Sequence, residues 1–316
     1  MTSTAMRVAR YHRYGDPDVL RIDTVDIPRP GRREVLVRVH GASVNPSDAL
    51  MRSGAMRVAT GWRFPKGVGL DLAGEVILTG DDVTDLPAGS QVWAYVGGLP
   101  TRLGTTAEYV AVRRDRCAAA PRDLDLVAAA ALPTVGVTAL QVLRDTVRLR
   151  AGDRALIVAA GGGVGSAAVQ LAHAMGAAVT AVAGAGSADL CRELGAVDVL
   201  DYAAGPPTGE RFDVIVDAHG TGVRGYRRLL ARGGRMATIV TRAVPYALVS
   251  PLLPGPRVRV HLTKARASDL EVLAGYVERG DLRPVVDRIY PLEDVAVAHR
   301  AVETGHARGK RVIALT

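Results

Sequence analysis

Three consecutive glycines, Gly161 to Gly163, followed by Val164 and Gly165, are the residues whose type and spacing point most directly to chemistry. Read as G-x-G-x-x-G, the second and third glycine positions fall at Gly162 and Gly165, with Ala160 in place of the first. At Gly162 a bare backbone lets a pyrophosphate approach, and at Gly165 it lets a helix pack closely on a strand. The unpaired N–H groups and the positive end of the helix dipole then hold the anion. That chemistry needs a strand before the glycines and a helix after them. Ala155-Leu-Ile-Val158 is a short apolar run suited to a strand buried on both faces. Ala167, Ala168, Val169, Leu171, Ala172 and Ala174 are small and apolar at helical spacing. The alternative is a glycine-rich turn between core elements, because a chain with 35 glycines contains such spacings by chance. The flanking strand and helix favour a dinucleotide fingerprint.

The rest of the chain bounds the possibilities. Its 316 residues suffice for two domains, and 48% apolar with 23% charged residues is an ordinary globular composition. No apolar run reaches the length of a membrane span, and Met1-Thr-Ser-Thr-Ala-Met6 lacks the hydrophobic region of a signal peptide, so a cytoplasmic protein is expected. Cys117 and Cys191 cannot form a C-x-x-C ligand set, which excludes a structural zinc lobe. Two idle thiols are expected, one disulfide being the alternative. The net charge of +8 raises the question of nucleic acid. All but three of the 40 basic residues are arginine, scattered with no block beyond pairs such as Arg32-Arg33, and the 4% aromatic content leaves little for base stacking. Nucleic acid is not the expected partner.

Residues 1–125 read as a β-rich unit. Strand-like pieces at 6–9, 20–22, 34–40, 91–96 and 104–112, with the stretch 64–76 running into another, are separated by glycine and proline turns, and Val35, Val37 and Val39 alternate with their neighbours. From 126 to 263 strands alternate with helices. The stretch 126–132 reads as helical and breaks at Pro133; a helix resumes over 136–143. Strands are predicted at 155–158, 178–183, 198–200, 212–217, 234–240 and 257–262, with helices at 187–194 and 222–231. This is the pattern of a doubly wound parallel α/β sheet with right-handed crossovers. Residues 264–316 form a mixed return segment: helix 268–279, strand 286–290, helix 293–303 and strand 311–315.

Several ordered stretches together resemble the medium-chain dehydrogenase/reductase superfamily, and within it the zinc-free quinone oxidoreductase (zeta-crystallin-like) branch. They are Val35-Leu-Val-Arg-Val39 with Val44-Asn-Pro-Ser-Asp48, Gly69-Leu-Asp-Leu-Ala-Gly74, Gly104-Thr-Thr-Ala-Glu-Tyr109, Ala130-Ala-Leu-Pro-Thr134 with Thr138-Ala139, and the fingerprint. Glu193-Leu-Gly-Ala196 with Asp201-Tyr202, Gly233-Gly-Arg235, and the stretch from Glu303 to Lys310 complete the set. The resemblance implies a GroES-like β-rich catalytic domain, a Rossmann domain, and a return segment that completes the first. Zinc-dependent members place a cysteine after the first long strand and a histidine in a Gly-His-Glu motif. Here the Asn45-Pro-Ser-Asp48 turn and Gly69-Leu-Asp71 stand in those places, with Leu70 where the histidine would be. A catalytic zinc needs about three protein ligands, so no metal is expected.

An acid about 20 positions past the glycines would grip the ribose diol of NAD. The second strand here ends Val182-Ala-Gly-Ala-Gly-Ser187, without one. Its absence favours NADPH, as does the resemblance, although the lysine that relatives carry in this region is replaced by Ser187. The resemblance implies that Gly162, Gly163, Val164 and Gly165 hold the pyrophosphate. It sets Gly184, Ser187 and Tyr202 near the phosphate, with Lys310 as a C-terminal contact. Thr134, Val240 and Thr241 are expected along the nicotinamide end. Without a Lewis acid the hydride acceptor must already be electron-poor, as a quinone or an enone is. Asn45 would donate to its carbonyl oxygen or to the nicotinamide ribose; the alternative is an Asx turn feeding Pro46. Asp48 is expected as a structural acceptor, and Tyr95 as the nearest proton donor. Enoyl-thioester reductases of the family carry a tyrosine shortly after the Asn-Pro-x-Asp turn, and the stretch from Arg52 to Arg57 has none. The expected activity is an NADPH-dependent reductase of quinones or activated alkenes, acting as a homodimer. An enoyl-thioester or enone reductase, or a non-catalytic NADPH-binding regulatory or RNA-binding protein, are the alternatives.

Overall fold

The computed structural model describes residues 4–98, 103–205, 209, 211–305 and 307–315. The chain divides into two compact units, Met1–Thr134 with Ala265–Glu278 and Pro284–Thr316, and Val135–Lys264 with Arg279–Arg283.

The first unit is organised by the strand Glu34–Val44. Val35, Val37, Val39, Ala42 and Val44 enter its core, with Val76, Val92, Val110 and Val112 from neighbouring strands. The sheet runs Val286–Pro291, Lys310–Ala314, Glu34–Val44, Asp71–Thr79, Gln91–Tyr95, Cys117–Ala119, and Tyr109–Arg113 also pairs with the long strand. The last strand of the chain is therefore built in beside one of the first. Register decides what this places together. Arg311 pairs with Val44, Ala42 with Leu72, and Asp71 with Tyr95. One step further along these antiparallel ladders, Lys310 comes alongside Asn45, and Ser43 alongside Asp71.

The segment expected to open the Rossmann domain belongs to this first unit. Only Leu126–Ala129 is helical there, capped by Asp125, which accepts from Ala128 N–H at 2.9 Å. It lies so close to the long strand that a Cβ on Gly41 would sit 2.9 Å from Val127 Cα. The helix that follows Pro133 spans Pro133–Gln141.

The second unit is a six-stranded parallel sheet in the order Asp198–Asp201, Ala178–Ala183, Arg154–Val158, Phe212–Asp217, Leu230–Thr238, Val258–Val260. Numbered along the chain this is 3-2-1-4-5-6, the Rossmann order, in which ligands bind beyond the carboxyl ends of the strands where the order reverses. That point lies between Arg154–Val158 and Phe212–Asp217, where Val158 pairs with Asp217. The helix expected over 222–231 is confined to Val223–Arg227, and a strand starts at Leu230. Its register against Phe212–Asp217 shifts between Phe212 and Val214, a bulge that takes up the glycines at 233 and 234. Among the described residues no helix is long and apolar enough to cross a membrane.

The glycine turn has two unequal glycines. A Cβ on Gly165 would lie 2.0 Å from the Ala159 carbonyl oxygen, whereas one on Gly162 would meet only that same oxygen, at 3.4 Å. Ala159 itself adopts φ +62°, a left-handed conformation that a residue with a Cβ seldom takes. The strain sits where strand gives way to anion-binding turn, as backbone strain often does. Gly165→Ala should therefore lose stability by about 1–3 kcal/mol or more through overpacking. Gly162→Ala should stay within about 1 kcal/mol of the parent. Paired urea unfolding curves measure both, and equal losses would show that the tight contact at Gly165 is not what holds the turn.

Candidate active site

Two groups of residues emerge, one in each unit. In the first, Asn45 begins the helix Pro46–Arg52. Asp48 Oδ2 accepts the Asn45 N–H at 2.8 Å, and Asp48 N–H donates to the Asn45 carbonyl at 3.0 Å. Pro46 suits the first helical position because it has no N–H to satisfy there. The Asn45 side chain faces two charged groups. Its Oδ1 accepts from Lys310 Nζ at 2.7 Å, and its Nδ2 makes a long contact of 3.5 Å to Asp71 Oδ2. Lys310 Nζ also donates to the Val44 carbonyl at 2.9 Å. Asp71 accepts from the Ser43 N–H at 3.2 Å, from the Ser43 hydroxyl, and from the Thr134 N–H at 3.3 Å. Asn45, Asp48, Asp71 and Lys310 are all buried.

Burial sets the protonation of this group. It pushes the Asp48 carboxyl up to about 7, the charge of Asp71 adds to the rise, and the Asn45 N–H and Lys310 oppose it. The Lys310 ammonium is drawn down by burial, while Asp71 and Asp48 hold it up. Below neutrality Asp48 is therefore neutral. Tyr95, cross-strand from Asp71, is pushed up to about 12 by burial and by that carboxylate, so it keeps its proton at neutral pH.

One expectation changes here, and further contacts are added. Lys310, expected at the phosphate, has its ammonium engaged with Asn45 and Val44 inside the first unit. Thr134 is tied through its N–H to Asp71. Asp71, Ser43 and the Lys310–Asn45 bond were missed. The one available signal was an acid opening the otherwise apolar run Leu72-Ala73-Gly74, where a buried charge must have partners.

In the second unit, the turn Gly162–Val164 is half-buried and Gly162 precedes the helix Gly163–Ala174. The first N–H groups of a helix have no acceptor within it, so this turn offers donors to an anion. A Cβ on Gly161 would lie 2.6 Å from Ser187 Cβ, and one on Gly184 would lie 2.9 Å from the Tyr202 ring. Ser187 N–H donates to the Gly184 carbonyl at 2.9 Å. Gly161, Gly184, Ser187 and Tyr202 therefore gather beside the fingerprint, with no carboxylate among them. On the other side of the switch point Asp217, unforeseen from sequence, braces two strand ends. Its carboxylate accepts from the N–H groups of His219 and Gly220 at 3.0 and 2.8 Å, and from the Thr238 hydroxyl at 2.9 Å. Val240 lies against Gly220, and Thr241 is exposed.

The residues around Asn45 and Leu70 do not assemble a zinc ligand set. Among the described residues no three of His, Cys, Asp and Glu converge as a ligand set. Leu70 and the Asn45 turn occupy the positions named above, and Asp71 is already shared among Ser43, Asn45 and Thr134. Cys117 and Cys191 are buried and free, their thiols pushed up by burial to about 12 and about 11.

A β-rich unit completed by the chain's end, together with a Rossmann unit carrying a glycine fingerprint, defines a dehydrogenase/reductase of the medium-chain type. Residues 31–122 match the alcohol dehydrogenase GroES-like domain family and residues 194–313 the zinc-binding dehydrogenase family. The chain belongs to the medium-chain dehydrogenase/reductase superfamily, among its quinone oxidoreductase-like members. It is 33% identical to the mitochondrial NAD(P)H oxidoreductase RTN4IP1 of Mus musculus, over 98% of this chain and 89% of that protein. Identity to the chloroplastic NADPH-dependent alkenal/one oxidoreductase of Arabidopsis thaliana is 34%, over 98% and 79%. The quinone oxidoreductase of Coxiella burnetii superposes with a TM-score of 0.90 at 30% identity, covering 99% of this chain and all (100%) of that one.

The raised Asp48 carboxyl has a consequence for stability. Between its ordinary 3.8 and about 7 the folded protein holds a proton that the unfolded chain has released. This contribution is complete below the ordinary value and is lost as pH rises through about 7. Asp48→Asn should remove that dependence. The Tm of the wild type relative to Asp48→Asn should fall between pH 5 and pH 8, and parallel Tm curves would contradict the assignment.

Proposed function

We propose that this chain is a zinc-independent, NADPH-dependent oxidoreductase that reduces a quinone or another activated alkene. The observation carrying this reading is Asn45: a neutral amide, fixed by a buried ammonium and a carboxylate, stands where zinc-dependent relatives begin a metal site. NADPH, when bound, supplies the hydride. The N–H groups of Gly163, Val164 and Gly165 would hold its pyrophosphate, with Gly162 leaving room for it. Gly184, Ser187 and Tyr202 would take the 2′-phosphate, and Thr134, Val240 and Thr241 would serve the nicotinamide end.

Asn45 donates through Nδ2 to the acceptor's carbonyl oxygen, or to the nicotinamide ribose. In the first arrangement it stabilises the negative charge that gathers on oxygen as the acceptor gains an electron pair. Tyr95 carries the proton that completes reduction. The names of the relatives, an alkenal/one oxidoreductase and quinone oxidoreductases, support this substrate class. The reading includes a cytoplasmic homodimer. The edge strand Val258–Val260 and the exposed Leu248, Val249 and Leu252 before it support a self-associating face.

NADPH oxidation assayed with quinones, enones and enoyl thioesters tests the activity. Turnover of quinones or enones is expected. Turnover of enoyl thioesters alone would move the protein to biosynthetic reduction, and none at all would leave a binding protein. Gly162→Val should abolish NADPH binding by fluorescence titration while circular dichroism is unchanged, since no side chain packs there. Wild-type binding in that variant would remove the fingerprint from the mechanism.

Cofactor preference is tested at Ser187. A side chain at Gly184 would displace the Tyr202 ring, so substitution there changes shape as well as charge. NADPH should exceed NADH by roughly tenfold in kcat/KM, equivalent to about 1.4 kcal/mol. Two like charges about 4 Å apart repel by about 4 kcal/mol at an effective dielectric near 20, before screening by salt. Ser187→Asp should therefore erase the preference. An unchanged NADPH to NADH ratio would place the specificity elsewhere.

A further inference from the structure

We infer that Lys310, from the last strand of the chain, is a positioning residue that fixes which end of the Asn45 amide is presented to the reaction. The inference rests on the reading of Asn45 as the group that touches the acceptor or the nicotinamide ribose. An asparagine amide can be turned end for end with little change of shape, but its two ends are chemically opposite. An ammonium only donates, so Lys310 Nζ at 2.7 Å requires the oxygen on its side. Asp71 only accepts when ionised, and it lies on the other side, 3.5 Å from Nδ2. Between them the amide has one orientation, and the second N–H of Nδ2 is left to donate.

Lys310 also holds the Val44 carbonyl at 2.9 Å, so it pins the backbone just before Asn45 as well as its side chain. The pairing of Arg311 with Val44 delivers the lysine to this place. Replacing a buried ion pair whole by apolar groups is often neutral or stabilising, whereas removing Lys310 alone leaves Asp71, the Asn45 oxygen and the Val44 carbonyl uncompensated, so folding is checked alongside turnover.

A double-mutant cycle tests this. NADPH and 1,4-benzoquinone are used with the wild type, Lys310→Met, Asn45→Ala and the double variant. Lys310→Met should lower kcat by about tenfold or more, because a loosely held group loses most of its catalytic effect. KM for NADPH should stay within about twofold, and in the Asn45→Ala background the same substitution should change kcat by less than about twofold. Losses that multiply across the cycle, or a Lys310→Met enzyme with wild-type kcat, would overturn the inference. If Lys310→Met fails to fold by circular dichroism, Lys310→Gln, whose side chain ends one atom short, takes its place in the cycle. NMR of the wild type adds a readout independent of turnover. The Asn45 side-chain amide, identified by its loss in Asn45→Ala, should be a shifted, slowly exchanging pair that reverts in the Lys310 variant. An averaged, fast-exchanging pair in the wild type would refute positioning. If that pair is ordered but no quinone or enone is reduced, the proposed activity fails and the positioning of the amide stands.

Discussion

Burying an ammonium removes it from water at a cost of several kcal/mol, which only close partners can offset. Lys310 has two, the Asn45 amide oxygen and the Val44 carbonyl, with Asp71 beyond the amide. The arrangement around it follows from this constraint. Asp71 must stay near to balance the charge, and it is held by Ser43 and the Thr134 N–H. A second carboxylate in the same volume would leave excess negative charge, and burial raises Asp48 to about 7. The helix Pro46–Arg52 begins where it does because Asp48 reaches back to the Asn45 N–H. One electrostatic balance thus fixes a helix start, two strand ends and the orientation of one amide.

On the proposed reading, the second unit solves a different problem, that of holding a doubly charged group. It uses backbone rather than side chains. Ala159 takes a left-handed conformation, and its carbonyl accepts the Gly162 N–H at 3.1 Å while lying against Gly165. The turn is therefore tight at Gly165 and open at Gly162. Asp217 does for the neighbouring strand what this turn does for Arg154–Val158, by closing a loop on its own carboxylate.

What could be read from the sequence was what is local. The parallel sheet followed from alternating apolar runs and helices, and the fingerprint from glycines between a strand and a helix. The Leu126 helix was legible as a helix, but its allegiance was not, because that depends on Gly41 admitting Val127 across more than 80 residues of chain. The first residues of the Leu230 strand read as the end of the preceding helix, because the strand is interrupted by a bulge that exists only opposite Phe212. The candidate-site group was the least legible. Asn45, Asp71, Thr134 and Lys310 come from four separate stretches, and each alone reads as a cap, a stray acid, a helix start or a surface lysine. The resemblance to relatives marked Lys310 as a site residue, but only strand register shows what it touches.

That register also bears on the chemistry open to the protein. A metal would draw electron density from a saturated carbonyl strongly enough to make it a hydride acceptor. A single well-placed hydrogen-bond donor supplies less, typically a factor of about 10²–10³ in rate. On the proposed reading the acceptor must therefore bring its own electron deficiency, through conjugation, and the protein's part is to hold a donor where charge will appear. A loosely hinged asparagine would lose much of that factor to its own freedom. An asparagine clamped between an ammonium and a carboxylate has that freedom removed when the chain folds. On the proposed reading, the expense of burying Lys310 and Asp71 is what allows an amide to stand in a position that zinc-dependent relatives give to a metal ligand.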